Sequence, residues 1–354
     1  WENTYLNPHY TDDYQNYWKI RNTVGVSLLE GFNKWAKAGL ALFATHEIRN
    51  YHMESFAEAP SGAQVEAMTE VPYPDMKLDE RQNLLWVGAQ LTKQQGRLFN
   101  YNVTGEIGLI GDAAGEIKVS GDITTRIPLF GDTVPVKAFG HFNNLSAPWL
   151  MKHFWSNHFM WENDFSKTRS FRVGGEISVP WTNTSLTAQI ENIQNHIYFD
   201  DRALPAQYGG NAQVFSATLR QNFHFGVLHW DNYQQCTEDA VIPLPKFVVN
   251  SNMYVMFKVA TLFVQFGVNC DYFTKYKGVG FQPATMSFYN QRSVDIGNYP
   301  FVDVYINCKL SKTRFYVMMS HVNQGLTGTN YFSMPHYPMN PRRLQMGLSI
   351  DFAN

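Results

Sequence analysis

The chain has 354 residues, a formal net charge of −2, 16% charged residues and 15% aromatic residues. Charge is sparse beside the roughly 25% of an ordinary soluble domain, and the near balance of signs gives no electrostatic footprint for a nucleic-acid partner. No run of about 18 apolar residues occurs, which excludes a membrane-spanning helix. The three cysteines, Cys236, Cys270 and Cys308, fit neither a disulfide framework nor a C-x-x-C metal spacing.

From the N-terminus, the first strand is expected over Tyr17–Leu29, followed by a short connection at Glu30–Lys34. The segment Asn50–Gln82 carries Glu54, Glu58, Glu66, Glu70, Asp75, Asp79 and Glu80 against few bases, and reads as a long solvated loop. Its carboxylate spacing matches no calcium-loop motif. After a short connection at Gln94–Gly96 and a brief link at Gly111–Gly115, alternation is clear. Ile117, Val119 and Ile123 oppose Lys118, Asp122 and Arg126, which places them on opposite faces of a strand. A short turn at Phe130–Thr133 precedes the long segment Ser146–Lys167. Next, Phe171, Val173, Ile177 and Val179 oppose Arg172, Glu176 and Ser178. The order then runs through a short turn at Thr182–Thr184, a long loop Asp200–Ala212, a short turn at Phe225–Gly226 and a long loop Gln235–Lys246. Beyond the short turn Val259–Thr261, Leu262, Val264, Phe266 and Val268 oppose Gln265, Gly267, Asn269 and Asp271. The long loop Tyr276–Asn298 leads to Val302, Val304, Ile306 and Leu310 opposite Asp303, Tyr305, Asn307 and Lys309. A short turn at Ser311–Thr313 and a long loop Gly325–Pro341 bring the chain to its cleanest strand, Arg343–Phe352. There Leu344, Met346, Leu348, Ile350 and Phe352 share one face.

A soluble sandwich alternates too, but its strands have a mode near 5–6 residues, whereas tilted membrane strands need about 9–11. The stretches here run about ten or more. Long and short connections also alternate along the chain, as tight periplasmic turns and long extracellular loops do in outer-membrane barrels. The fold expected is therefore an all-β transmembrane antiparallel β-barrel forming a single domain over residues 1–354. With the long loops outside, the C-terminus is periplasmic. The first and last of about fifteen strands then run in the same direction and cannot pair as antiparallel neighbours. This predicts an N-terminal region ahead of residue 1, or a partner's strand, and about sixteen strands in the whole barrel, enough for an aqueous channel.

The polar faces carry the candidate pore-lining residues Lys118, Asp122, Arg126, Arg172, Glu176, Glu191, Arg220, Asp271, Asp303, Lys309, Arg314 and Arg343, with Arg21, Lys37, Glu106, Lys137 and Asp351 on the same register. A water-filled pore solvates such charges, and their mixed signs predict weak selectivity. The loop Ala147–Phe165 gathers Trp149, Phe154, Trp155, Phe159 and Trp161. So many apolar rings mark an interaction surface: a constriction folded into the lumen, a docking site for a partner, or a membrane-interface contact. Tyr17, Trp18, Trp35, Trp86, Tyr101, Trp181, Tyr198, Trp230, Tyr272 and Tyr316 are expected in interfacial girdles. Cys270 and Cys308 fall on the lipid-facing register.

Eleven histidines raise the question of catalysis or metal binding. His153 and His158 lack the His-x-x-x-His spacing of a helical zinc site. Adjacent Ser320 and His321 would point to opposite faces of a strand, against a nucleophile–base pair. No catalytic, metal or cofactor site is expected, and the protein is not read as an enzyme.

The C-terminal third carries a resemblance. FQPATMSFYNQ (Phe281–Gln291), IGNYPFVDVYINCKL (Ile296–Leu310) and YFSMPHYPMNPRRLQMGLSIDF (Tyr331–Phe352) resemble the "putative porin" family of Bacteroidota, with its Phe-Tyr-Asn-Gln, Gly-x-Tyr-Pro-x-x-Asp and x-Tyr-Pro-x-x-x-Arg elements. The resemblance implies an outer-membrane barrel of a Gram-negative bacterium. The function expected is a porin-like channel for passive diffusion of small hydrophilic solutes or ions. The alternative is a non-catalytic barrel subunit or scaffold of a larger outer-membrane complex. Expected partners are outer-membrane lipids and lipopolysaccharide, with other outer-membrane proteins or a second copy of the chain possible, and no nucleic acid.

Overall fold

The computed structural model describes residues 12–32, 37–55, 76–96, 99–129, 131–238 and 241–352. In chain order its strands are β1 (Asp13–Leu28), β2 (Gly39–Ser55), β3 (Met76–Lys93), β4 (Phe99–Ile110), β5 (Ile117–Leu129), β6 (Asp132–Leu145), β7 (His153–Trp155), β8 (Met160–Glu162), β9 (Thr168–Val179), β10 (Thr184–Phe199), β11 (Pro205–Phe225), β12 (Leu228–Glu238), β13 (Phe247–Val259), β14 (Leu262–Phe273), β15 (Gly280–Gln282), β16 (Ser287–Tyr289), β17 (Phe301–Leu310), β18 (Thr313–Ser320), β19 (Phe332–Met334), β20 (Tyr337–Pro338) and β21 (Arg343–Ile350). Fifteen of them form one sheet in the order β1-β2-β3-β4-β5-β6-β9-β10-β11-β12-β13-β14-β17-β18-β21. Each strand pairs antiparallel with the next along the chain, so the sheet is an up-and-down meander. β7–β8, β15–β16 and β19–β20 are small hairpins inside the long loops.

Every strand predicted from alternation lies within this sheet. The tight turns also fall where expected, for example residues 226–227, 260–261 and 311–312. Their first residues, Gly226, Ala260 and Ser311, take φ of 64°, 52° and 52°, the left-handed backbone that tight hairpins demand. Two long segments differ from expectation. β2 and β3 run to Ser55 and from Met76, and β11 begins at Pro205, so parts of Asn50–Gln82 and Asp200–Ala212 are strand rather than loop. Glu54, Asp79 and Glu80 thus stand on strands; Glu58, Glu66, Glu70 and Asp75 lie outside the described residues, as does Trp35. These segments look like loops in sequence because polar residues and glycine stand where a lipid-facing strand would be apolar.

That polarity has a location. β11 is 21 residues long, about 70 Å at roughly 3.4 Å per residue, against an apolar band about 25 Å tall. The excess must stand outside the lipid. On β2 the outward face passes from Leu40 and Leu42 near the short turn to His52 and Glu54 at the far end. There His52 and Lys77 reach Glu54 at 3.2 and 3.3 Å, and Asp79 bonds to His52. The His52 hydrogen bond holds the Asp79 carboxyl below the usual carboxylate range, and Glu54 raises the Lys77 ammonium. A lysine on the lipid face costs about 2–4 kcal/mol at the bilayer midplane, so this ladder marks where the hydrocarbon ends.

Nearer the short turns the outward face is apolar and bare. Val24, Met346 and Leu348 are 74%, 67% and 66% exposed. In water such a surface would aggregate; in a bilayer it is the lipid contact. Among the described residues the sheet is not closed: β1 and β21 are its two edges. They run in the same direction, because an even number of antiparallel steps separates them.

Candidate pore wall and mouth

Register decides which side chains share the inner face. Lys118 pairs with Glu106 and Asn143, and Asp122 with Asn102 and Phe139. His141 pairs with Arg172, Arg172 with Glu191, and Lys137 with Glu176. Asp271 pairs with Asn250, Asn269 with Asp303, Lys309 with Arg314, and Ser320 with Arg343. Arg126 and Arg220 fall on the same face, opposite Pro135 and Tyr233. All twelve candidate pore-lining residues therefore project from one side of the sheet, opposite the apolar band.

The structure pairs several of them. Arg172 donates from Nε to Glu191 at 3.0 Å, and His141 Nε2 lies 3.5 Å from the same carboxylate. Lys137 and Asp122 are 3.6 Å apart. Glu176 accepts from the Ser178 and Ser185 hydroxyls at 3.2 and 3.3 Å, and Asp271 accepts from Asn250 and Asn269 at 2.6 and 2.8 Å. Arg220 lies over the Tyr233 ring. Sequence reading missed Glu47, buried between Arg21 and Arg49 on the same wall. It also missed Glu116, whose carboxylate accepts from Trp86 Nε1 at 2.9 Å and from the Ser146 amide at 3.1 Å.

Three expected girdle rings turn inward instead. Trp86 pairs with Thr45 and is 4% exposed, with Lys118 Nζ over its ring at 5.0 Å. Tyr17 pairs with Tyr51, and Tyr316 with Asn307. Parity explains the correction: each ring stands an even number of residues from an inward polar one, Trp86 from Gln90 and Tyr316 from Arg314.

The loop between β6 and β9 packs against the inner face of β2. Its short helix α1 (Trp149–Lys152) and the β7–β8 hairpin carry Trp149, Phe154, Phe159 and Trp161, all buried together with Tyr51 and Met53 of β2. The Tyr51 and Trp149 rings stack at 4.2 Å, and Phe154 and Trp161 at 4.4 Å. Trp155 packs at the edge, donating from Nε1 to Glu162 at 2.7 Å. Asn157 Nδ2 donates to Ser55 Oγ at 3.1 Å and its amide to Asp13 at 3.0 Å. Tyr51, Met53 and Ser55 all lie on the inner face of β2, so the loop crosses the inner side of the wall. Phe199, Leu204 and Ala284 complete the cluster from β10, the turn after it and the loop before β17.

A family model described as "Putative porin" matches residues 1–354. The chain belongs to this family. No curated protein matches its sequence. Among solved structures, the siderophore receptor PirA from Acinetobacter baumannii is similar at 11% identity and a TM-score of 0.63, over 96% of this chain and 55% of that one. A mutant of the ferric enterobactin receptor PfeA from Pseudomonas aeruginosa gives 12%, 0.62, 96% and 54%. FpvA of P. aeruginosa, bound to a heterologous pyoverdine, gives 14%, 0.57, 96% and 48%. The chain thus spans about half the length of these receptors, and the likeness is one of fold. Family and fold together make this putative porin an outer-membrane, channel-like β-barrel.

The porin's C-terminal signature builds loops. Gln291 donates to the Gly278 and Val294 carbonyls at 2.6 and 2.8 Å and accepts from the Ser293 and Val294 amides. His321, fully buried just beyond β18, sits among Tyr299, Phe301 and Tyr331. Its Nδ1 lies 2.9 Å from the Asn340 carbonyl, which can only accept, so Nδ1 carries the proton. Its Nε2 lies 2.7 Å from the Tyr299 hydroxyl. Asp303 accepts from the His321 amide, and Asn330 donates to the Gly297 carbonyl. The Gly-x-Tyr-Pro-x-x-Asp and Tyr-Pro-x-x-x-Arg elements are therefore two halves of one loop junction. Ser320 donates from its hydroxyl to the Arg343 carbonyl.

Proposed function

We propose that this porin is a channel for passive diffusion of small hydrophilic solutes, narrowed at its long-loop end by residues 146–167. The observation that carries this reading is the seat of Trp149, Phe154, Phe159 and Trp161 on the inner face of β2. A loop docked on the outer face would cover lipid contacts; one seated inside reduces the cross-section of the path. Its aromatic rings are consumed by internal packing, with Phe159 only 1% exposed, which favours a constriction over a docking site for another subunit. The wall beneath is polar and carries both signs, several of its charges in ion pairs, an arrangement suited to weak selectivity. No residue is assigned a catalytic role in this reading. The long loops face the exterior, the C-terminus faces the periplasm, and lipopolysaccharide meets the ladder at His52, Glu54, Lys77 and Asp79.

Planar-bilayer recording of the purified protein tests it. Stepwise currents are expected, with larger steps after excision of residues 147–165. Protein that inserts and gives no current overturns the channel.

A further inference from the structure

We infer that the inner wall formed by β13, β14, β17, β18 and β21 carries a binding track for neutral saccharides. This rests on the channel reading and names its solute class.

Two tyrosines lie flat along this wall. Tyr305 starts on β17, crosses β14 at Gly267 and donates from its hydroxyl to Asn252 on β13 at 2.9 Å. A Cβ on Gly267 would fall 2.6 Å from the Tyr305 hydroxyl oxygen and 2.7 Å from Cζ, so glycine alone makes the bed for the ring. Tyr316 of β18 lies over Gly347 of β21 in the same way, where a Cβ would meet Cε1 at 2.4 Å. A ring pressed against backbone on one side turns its other face to the lumen, and Tyr316 keeps 42% of its surface exposed.

Amides gather around the Tyr305 ring, and Asn307 pairs with Tyr316. Gln265 Nε2 donates to the Tyr305 hydroxyl at 3.2 Å, and Asn307 Nδ2 donates to Gln265 Oε1 at 3.2 Å. Asn252 and Asn269 pair across β13 and β14 on the same face. Each amide has two donor hydrogens and an accepting carbonyl, and these bonds use only part of that capacity. A sugar ring presents the complement: a face of C–H groups and a rim of hydroxyls that both donate and accept. Flat aromatic faces take the first and amides take the second. These six residues are themselves uncharged; Asp231 pairs with Asn252, Asp303 with Asn269, and Lys309 and Arg314 stand two residues along the same face from Asn307 and Tyr316. On the wall from β5 to β10 a ring also lies over a glycine, Phe139 over Gly174, but it has no hydroxyl and pairs with Asp122 rather than with an amide.

The test uses the whole chain refolded in detergent, with maltohexaose, cellohexaose and xylohexaose as probes and polyethylene glycol of similar mass as the control. Saccharide block of the bilayer current and calorimetric binding are read together. At least one saccharide should interrupt the current and bind where the glycol does neither. Tyr305→Ala and Tyr316→Ala should each weaken binding roughly tenfold, the value of one aromatic contact. Tyr305→Phe, which keeps the ring, should bind within about threefold of the parent. Phe43→Ala, on β2 outside the track, should bind as the parent does. Open channels that no saccharide blocks beyond the glycol overturn the track and leave the channel reading intact. So does binding that Tyr305→Ala leaves unchanged in protein that still conducts. Tyrosine-dependent calorimetric binding without any current supports the track and overturns passive diffusion. Absence of both overturns both.

Discussion

From β2 to β10 the inner wall is closely braced by ion pairs and covered by the aromatic loop; from β13 to β18 amides and tyrosines lying flat stand among its charges Asp271, Asp303, Lys309 and Arg314. On the first wall Glu47 and Glu116 are buried carboxylates, each satisfied by several donors, and the aromatic loop is anchored above them. On the second, Asn250, Asn252, Gln265, Asn269 and Asn307 hydrogen-bond in chains across the strands while staying half-exposed. The same register thus builds two kinds of surface. Buried charge must be fully paired and so fixes geometry; exposed amides are held loosely and remain available to a solute.

The sharpest way to break this contrast is to loosen the roof. Phe159→Ala removes a side chain that is 1% exposed and should cost the loop cluster about 3–5 kcal/mol. Larger single-channel steps should follow. An unchanged conductance with a destabilised loop would show that residues 146–167 do not narrow the path.

Next in size is Glu116→Ala, which strips the buried Trp86 N–H and the Ser146 amide of their acceptor. A loss of about 1.5–3 kcal/mol is expected in urea unfolding from detergent micelles. Asn252→Ala, on the other wall, leaves a tyrosine hydroxyl that water can reach, and should cost less than about 1 kcal/mol. Equal losses would erase the distinction between the two walls.

Gly267→Ala places a methyl where Tyr305 and Tyr254 already lie, 2.6–2.7 Å away. It should destabilise by about 1–3 kcal/mol through overpacking. Gly105→Ala meets nothing within 4 Å and serves as the matched control, expected to be close to neutral in the same unfolding assay.

The smallest effect concerns pH. Hydrogen bonds from Lys275 and then Lys277 hold the half-exposed Asp295 carboxyl below its ordinary range. A depressed carboxylate contributes fully above its unfolded value, about 3.9, and that contribution disappears as pH falls through the lowered one. Proteolytic protection of residues 274–300 should hold from pH 7 to pH 5 and weaken near pH 3. Replacing both lysines by alanine should remove this acid step; a step that persists would assign it elsewhere.

The family signature shows how far sequence reading reached. Alternation placed the strands around Lys118, Arg172, Asp271 and Arg343 and put each of those side chains on the correct face, because a period of two is a local property of extended backbone. Parity also held the information that Trp86 and Tyr316 turn inward, although their aromatic character suggested girdles. The polar outer ends of β2, β3 and β11 were illegible for a physical reason: beyond the lipid the outward face of a strand needs no apolar residue, so the alternation of a membrane strand is lost.

Chain order and side-chain chemistry by themselves determined the antiparallel meander, its tight turns, its lipid-facing band and the charges of its inner wall. Only the tertiary structure decided where the Trp149–Trp161 loop rests, that His321 joins two distant signature elements, and that Tyr305 reaches across Gly267 to Asn252. Those contacts join residues far apart in sequence, and their geometry depends on how the sheet curves. The strand edges at β1 and β21, parallel in direction and unpaired among the described residues, follow from the same count of strands that the alternation had already set.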